Sequence, residues 1–271
     1  KCKLVEKKKN YYYKNCKFIW MAFNNTAGIR ALDRLVKKPF TLFGIGKIKL
    51  KLHEQSAKPI LQLQTMRKIK PSGWIIANKT TKQNLLDEYC DIFSNSDIEF
   101  ICSFNDISSS KNNSDVTNPR ILSYDIETGS GDKTGNTFPN SDLITDEVIC
   151  ISATVGNFQD EESVWKTYCL VNESRDRSCP EINDGSELRH FNDEKTLLLG
   201  WTAFINEIDP DVITGYNTLG FDDKYLSKRA DIHKCWTRFS KLGRLIDQRS
   251  KVQIRKWVSS AYGEQEFNYI D

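Results

Sequence analysis

The sequence predicts an α/β domain with a mixed sheet, preceded by a smaller α+β module. Three observations carry this expectation. In residues 119–271, strand-like apolar runs come first and are followed by a helix–strand–helix order. A Ser/Asn/Asp-rich stretch at 104–118, including Ser108-Ser109-Ser110-Lys111-Asn112-Asn113, separates this region from what precedes it. The charge also divides there. Residues 1–103 hold 20 Lys/Arg against 8 Asp/Glu, a net of +12, whereas residues 104–271 hold 19 against 28, a net of −9. The expected organisation is a first domain at 1–103, a linker at 104–118 and a second domain at 119–271.

The elements of the first module follow from pattern. Lys7-Lys8-Lys9 followed by Tyr11-Tyr12-Tyr13 reads either as a surface strand or as a grip on phosphate and bases. A helix is expected over 26–37, with Thr26 as its cap, Ile29, Leu32 and Leu35 on one face, and Pro39 closing it. Residues 47–52 alternate basic and apolar side chains, as in a strand with one solvated face. A helix over 58–69 then turns at Pro71-Ser72-Gly73 into a strand at Trp74-Ile75-Ile76.

In the second region, Arg120–Ile126 reads as a buried strand, 129–142 as a polar Gly-rich loop, and Glu147–Val155 and Val164–Val171 as further strands. Residues 172–190 read as a polar excursion. Leu197, Leu198, Trp201, Phe204, Ile205 and Ile208 recur at helical spacing over 193–208, with Asn192 or Asp193 as the cap and Pro210 as the stop. A strand at Val212–Tyr216 and a helix at Asp222–His233 follow. Residues 251–258 and 266–270 flank Ala261-Tyr262-Gly263 as a hairpin.

Composition excludes some classes. The 39% hydrophobic and 28% charged content is that of an ordinary globular chain. No run approaches the roughly 20 apolar residues of a membrane span, and no signal-peptide pattern opens the chain. Eight scattered cysteines form no Cys-x-x-Cys pair and are expected to be buried free thiols in a reducing compartment. There is no P-loop and no Ser-His-Asp signature. Starting at Lys1 and stopping at Asp271 inside an apolar-patterned segment, the chain is expected to be a piece of something longer.

Chemistry gathers at two places. In Tyr124-Asp125-Ile126-Glu127-Thr128, strand alternation turns Asp125 and Glu127 to one face. Two carboxylates side by side at the end of a buried strand call for a neutralising cation, and oxygen donors favour Mg²⁺ or Mn²⁺. An exposed acidic pair is the plainer alternative. About ninety residues on, Gly215-Tyr216-Asn217-Thr218-Leu219-Gly220-Phe221-Asp222 leads from strand to helix. Asp222 is either a helix cap or a third carboxylate past a strand end, where ligands gather in α/β sheets. Two such ions about 4 Å apart cleave phosphodiesters, one activating water and one stabilising the leaving 3′ oxygen.

These segments resemble the exonuclease I and exonuclease II motifs of family B DNA polymerases, the second in the form Asn-x-x-x-Phe-Asp from Asn217 to Asp222. The lead-in Asp209–Asn217 is similar, as is Phe138-Pro139 followed by Asp146 and Val148–Ile151. Ser259–Gly263 and Lys68–Ile75 resemble delta-type replicative and large DNA-virus polymerases. The resemblance implies a ribonuclease-H-like exonuclease domain that proofreads the primer 3′ end, after a nucleic-acid-binding N-terminal domain. It implies that Asp125, Glu127 and Asp222 are catalytic metal ligands for two Mg²⁺ (or Mn²⁺) ions. Asn217 and Phe221 would contact the frayed strand, with Tyr216 and Thr128 beside them, and the 251–270 hairpin is either an element that helps part primer from template or an ordinary sheet edge.

The implied partners are a DNA primer-template, a single-stranded DNA 3′ end, dNTPs for the full-length protein and a processivity factor, with no membrane. The implied location is intracellular, in the nucleus or at a cytoplasmic viral replication site. The family's third motif, a Tyr with an Asp four residues on, is absent before Asp271, so a fourth ligand and the synthetic half are expected beyond it. A free-standing nuclease of the same fold and a non-catalytic nucleic-acid-binding module are the other readings.

Overall fold

The computed structural model describes residues 1–8, 14–53, 58–82, 93–110, 113–132, 134, 136–174, 184–246, 248–261 and 263–271. In chain order the strands are β1 (Cys2–Lys8), β2 (Asn15–Met21), β3 (Phe40–Leu42), β4 (Gly46–Ile48), β5 (Ile75–Ala77), β6 (Thr81–Lys82), β7 (Phe100–Ile101), β8 (Ile107–Ser109), β9 (Arg120–Gly129), β10 (Glu147–Asn157), β11 (Lys166–Asn172), β12 (Glu187–Phe191), β13 (Val212–Thr214), β14 (Val252–Ser259) and β15 (Gly263–Ile270). The helices are α1 (Thr26–Val36), α2 (Pro59–Arg67), α3 (Glu194–Ile208), α4 (Asp222–Ile232) and the short α5 (Trp236–Phe239).

The chain divides into two compact units, residues 1–78 with 103–112, and residues 79–102 with 113–271. This differs from the expected boundaries at 103 and 119. β8, inside the expected linker, pairs antiparallel with β5 and returns to the first unit. Ser94 bridges to Leu245, and the Asn95 and Ile246 N–H groups donate to the carbonyls of Arg244 and Phe93, so residues 79–102 group with the second. Composition does not report pairings across such separations.

In the first unit, β1 and β2 form an antiparallel pair from Cys2↔Met21 to Lys8↔Asn15, with the Lys3 ammonium 5.0 Å from the centre of the Trp20 ring. Lys9 and Tyr11–Tyr13 lie outside the described residues. Helix α1 is capped by Asn25, not Thr26: the Asn25 side chain accepts the Gly28 N–H at 3.0 Å. It ends at Val36, before Pro39. The strand expected over 47–52 stops at Ile48, where its pairing with β3 runs out. Helix α2 starts with Pro59 in its first turn and ends on Lys68 in a left-handed conformation.

The second unit is built on a five-stranded sheet of order β12-β11-β10-β9-β13. β9–β10 and β10–β11 are antiparallel, and β11–β12 and β13–β9 are parallel, so the sheet is mixed as expected. Leu122, Tyr124 and Ile126 alternate to one face of β9, and there meet Leu197, Leu198, Trp201, Phe204 and Ile205 of α3 and Tyr225 and Leu226 of α4. Each such buried side chain contributes roughly 1.5–3 kcal/mol. A β-bulge in β10 between Val148 and Cys150 shifts the parity, which is why Val148 and Ile151 are both buried. It lies opposite Glu127–Thr128.

Helix α3 carries a capping box: Asp193 accepts the Thr196 N–H at 2.7 Å, and the Thr196 hydroxyl accepts the Asp193 N–H at 3.2 Å. The third expected strand begins at Lys166, after a 3₁₀ turn at Glu162–Val164. Strand β12 begins inside the expected polar excursion and runs one residue past it; its run Glu-Leu-Arg-His-Phe is a polar sheet edge. The hairpin β14–β15 forms as expected, although Tyr262 of its turn lies outside the described residues. The six described cysteines are free, but only Cys235 among them is buried; Cys90 and Cys179 lie outside the described residues.

Candidate active site

The site grows from the way β13 leaves the sheet. β13 pairs with β9 from Val212↔Ile121 to Thr214↔Ser123 and then parts from it. Gly215 passes the Tyr124 carbonyl so closely that a Cβ there would lie 2.2 Å from its oxygen, which accounts for a glycine. The turn continues through Asn217, left-handed at φ 56°, whose carbonyl accepts the N–H groups of Gly220 and Phe221 at 2.8 and 3.1 Å. Helix α4 then begins at Asp222. Where β13 has gone, the Asp222 carboxylate takes over the edge of β9: its Oδ1 accepts the Ile126 N–H at 3.1 Å.

Ile126 lies between Asp125 and Glu127 in sequence. Both of those side chains point to the exposed face of β9, opposite the core. The shared face is as expected, but the pair itself is not buried. The buried carboxylate is Asp222, only 2% exposed. Burial pushes the Asp222 carboxyl up to about 6, and the charges of Asp125 and Asp223 add to the rise, against the hydrogen bonds from the backbone.

The next residue, Asp223, makes a second connection. The Tyr124 hydroxyl donates to its Oδ1 at 2.6 Å, and the Ile270 N–H of β15 donates to its Oδ2 at 3.1 Å. Burial raises the Asp223 carboxyl above the ordinary range. The Tyr124 hydroxyl is raised too, first by burial and then by the Asp223 charge.

The other expected site residues take diverse positions. Thr128 is half-buried near Tyr225, whose hydroxyl donates to the Asp146 carbonyl at 3.0 Å. Phe221 is half-buried, its ring 5.9 Å from that of Phe138 and 5.4 Å from that of Tyr225. Tyr216 is 92% exposed and Asn217 is exposed. Thus Asp125, Glu127 and Thr128 lie in the second half of β9, which Asp222 reaches at Ile126, whereas Tyr216 stands clear in solvent.

An ionic hub absent from the sequence reading braces this region. Arg229 of α4, fully buried, donates to both carboxylate oxygens of Glu194 at 2.8 and 2.6 Å. Its remaining N–H groups reach the carbonyls of Ser141, Leu143 and Ile144. Glu194 also accepts the Val148 N–H at 2.8 Å and contacts His233. Asp146 holds the loop before β10 by accepting the N–H groups of Gly131 and Asn140, both at 2.8 Å. The available signals were an Arg and a Glu at core-facing helix positions and a doubled Asp at a helix start.

A set of carboxylate oxygens suits a hard divalent cation such as Mg²⁺. Among the described residues, no three Asp, Glu, His or Cys side chains close into a metal cage. The donors fit such an ion in chemistry: Asp125 and Glu127 stand on the exposed face of β9, and Asp222 is bonded to the edge of that strand at Ile126.

The family model for the exonuclease domain of family B DNA polymerases matches residues 50–270. This chain belongs to the family B DNA polymerases. Among its relatives, DNA polymerase 120R of Invertebrate iridescent virus 3 is 31% identical over 89% of this chain and 21% of its own length. The DNA polymerase delta catalytic subunit of Oryza sativa subsp. japonica is 29% identical over 86% of this chain and 20% of its own. The chain thus spans about a fifth of the length of these relatives. The family B DNA polymerase from the hyperthermophilic archaeon Pyrobaculum calidifontis superposes with a TM-score of 0.56, covering 92% of this chain and 26% of the other at 18% identity, which is a likeness of fold.

Proposed function

We propose that this family B chain carries the proofreading 3′→5′ exonuclease of a DNA-directed DNA polymerase, which hydrolyses the primer 3′ end on a ribonuclease-H-like fold. The observation that carries this reading is the Asp222 carboxylate seated on the Ile126 N–H, between Asp125 and Glu127. In this reading Asp125, Glu127 and Asp222 hold two Mg²⁺ or Mn²⁺ ions, which supply the charge that activates water and stabilises the leaving 3′ oxygen. Asp125 and Glu127 present their oxygens from the open face of β9, which leaves the phosphodiester room to approach. The buried Asp222 is held by its backbone partner and loses little freedom on binding. Tyr216 offers an exposed ring for base stacking. Asn217, Phe221 and Thr128 line the same approach, with Phe221 steadied by Phe138 and Tyr225.

The first unit serves as the N-terminal nucleic-acid-binding domain. Residues 1–78 and 103–112 hold 19 Lys/Arg against 4 Asp/Glu, a net of +15, which suits a phosphate backbone. The substrates are a primer-template and a single-stranded 3′ end, with dNTPs and a processivity factor belonging to the whole polymerase. The setting is DNA replication in the nucleus or at a cytoplasmic viral site.

The test is digestion of 3′-labelled single-stranded DNA in Mn²⁺ by the wild-type polypeptide and by Asp125→Ala. Loss of at least about 100-fold in the variant is expected, the upper end of what even outer partners of a metal contribute. Equal digestion by the two would overturn the assignment.

A further inference from the structure

We propose that Asp223 is a positioning residue that, with Asp222, clamps the start of α4 to β9 on both sides of Asp125 and so sets the spacing of the metal-binding carboxylates. This inference rests on the exonuclease reading above and deepens it.

The geometry is a two-point attachment. Asp222 takes the Ile126 N–H at 3.1 Å, and Asp223 takes the Tyr124 hydroxyl at 2.6 Å. Tyr124 and Ile126 are the immediate neighbours of Asp125, so consecutive carboxylates of one helix grip consecutive flanks of one strand residue. A single hydrogen bond leaves a helix end free to swivel about it; two anchors remove that freedom. The Tyr124–Asp223 contact is charge-assisted and short, and Tyr124 is 6% exposed, so water competes little for it. The other Asp223 oxygen is occupied by the Ile270 N–H, which fixes the rotation of the carboxylate and joins the β15 end of the hairpin to the clamp.

Asp223 makes these contacts on the core side of β9, whereas Asp125 and Glu127 project from the opposite face. It therefore acts through the backbone and through Asp222, and touches no reacting atom. Partners of this outer kind typically alter metal affinity or activity by about 10–100-fold when removed. Replacing Asp223 should weaken divalent-ion binding, with the rate at saturating ion largely kept.

The experiment measures Mn²⁺ binding by calorimetry, and Mn²⁺-dependent digestion of single-stranded DNA, in the full polypeptide. The variants are Asp223→Ala, Asp223→Asn and Tyr124→Phe, with Asp125→Ala as the control. The expected result is a roughly 10-fold or greater rise in the Mn²⁺ dissociation constant and half-saturation point for Asp223→Ala. The maximal rate should stay within about threefold. Asp223→Asn, which keeps one acceptor, should recover most of the affinity, and Tyr124→Phe should weaken it in the same sense. Unchanged Mn²⁺ affinity in both Asp223→Ala and Tyr124→Phe would overturn the clamp. So would a loss of maximal rate at unchanged affinity. If Asp125→Ala itself binds Mn²⁺ like the wild type, the metal-site reading fails instead, and the two failures are thereby separable. Tyr124→Phe keeps the ring in the core and so tests the clamp even where Asp223→Ala does not fold.

Discussion

The two units are built on opposite principles. The second carries all of the buried apolar side chains described except Val36, and its net charge from sequence is −12, from 20 Lys/Arg and 32 Asp/Glu. The first is composed of two-stranded pairs and two helices and carries a net of +15. A packed sheet-and-helix core can hold a carboxylate such as Asp222 in a defined place at some cost in stability. A highly charged unit with little core attracts polyanions through its net field instead. Burial and positive charge are thus divided between them.

The largest expected effect tests the core of the second unit. Replacing Arg229 by Met leaves Glu194 buried with its main counter-charge gone, which should cost about 3–5 kcal/mol. Because Arg229 also holds the carbonyls at 141, 143 and 144, hydrogen exchange in residues 141–146 should rise with it. Denaturant unfolding of wild type and variant checks the first, and residue-resolved hydrogen exchange the second. Leu122→Ala, at a fully buried position on β9, should cost about 2–5 kcal/mol by the same measurement.

Much of the second unit could be read from its residues, because long periodic segments announce themselves. The α3 stripe and the β9 alternation are examples. Strand β12 could not, since a polar edge strand lacks an apolar repeat and exists through its parallel pairing with β11. The site was half readable. Alternation placed Asp125 and Glu127 on one face, and the strand–turn–helix pattern around Gly215 brought Asp222 to their strand. The exposure of that pair follows the same alternation, since Leu122, Tyr124 and Ile126 take the covered face. Asp223 and the Glu194–Arg229 pair were missed because their partners lie far away in sequence. The first unit was least readable: its pairing of β5 with β8 overrode a linker-like composition.

The division also predicts an opposition between stability and function within the site. The Asp222 carboxyl is raised to about 6 from 3.8, so folding favours its neutral form. Its contribution to stability is fully present below pH 3.8 and is lost as pH rises through about 6. In metal-free buffer at pH 7, Asp222→Asn should therefore melt higher than the wild type. The difference should shrink as pH falls and vanish near pH 4, while exonuclease activity is lost at every pH. Thermal melts across that range check it, and an Asn variant that melts lower at pH 7 would show that Asp222 is not strained.

The smallest effect belongs to the first unit. The Lys37–Asp33 pair, at 3.2 Å on the exposed side of α1, joins residues four apart. Asp33→Asn should cost only about 0.3–0.5 kcal/mol at low salt. It should cost less at 0.5 M NaCl, where the screening length falls to a few ångströms. The same salt should act oppositely on the unit as a whole. Screening a net of +15 relieves self-repulsion, so amide exchange in α1 should slow on adding salt in wild type and variant alike, before anion-specific effects enter. If added salt instead speeds exchange in α1, individual ion pairs outweigh net repulsion there, and the contrast between a core-built unit and a charge-shaped one loses its second half.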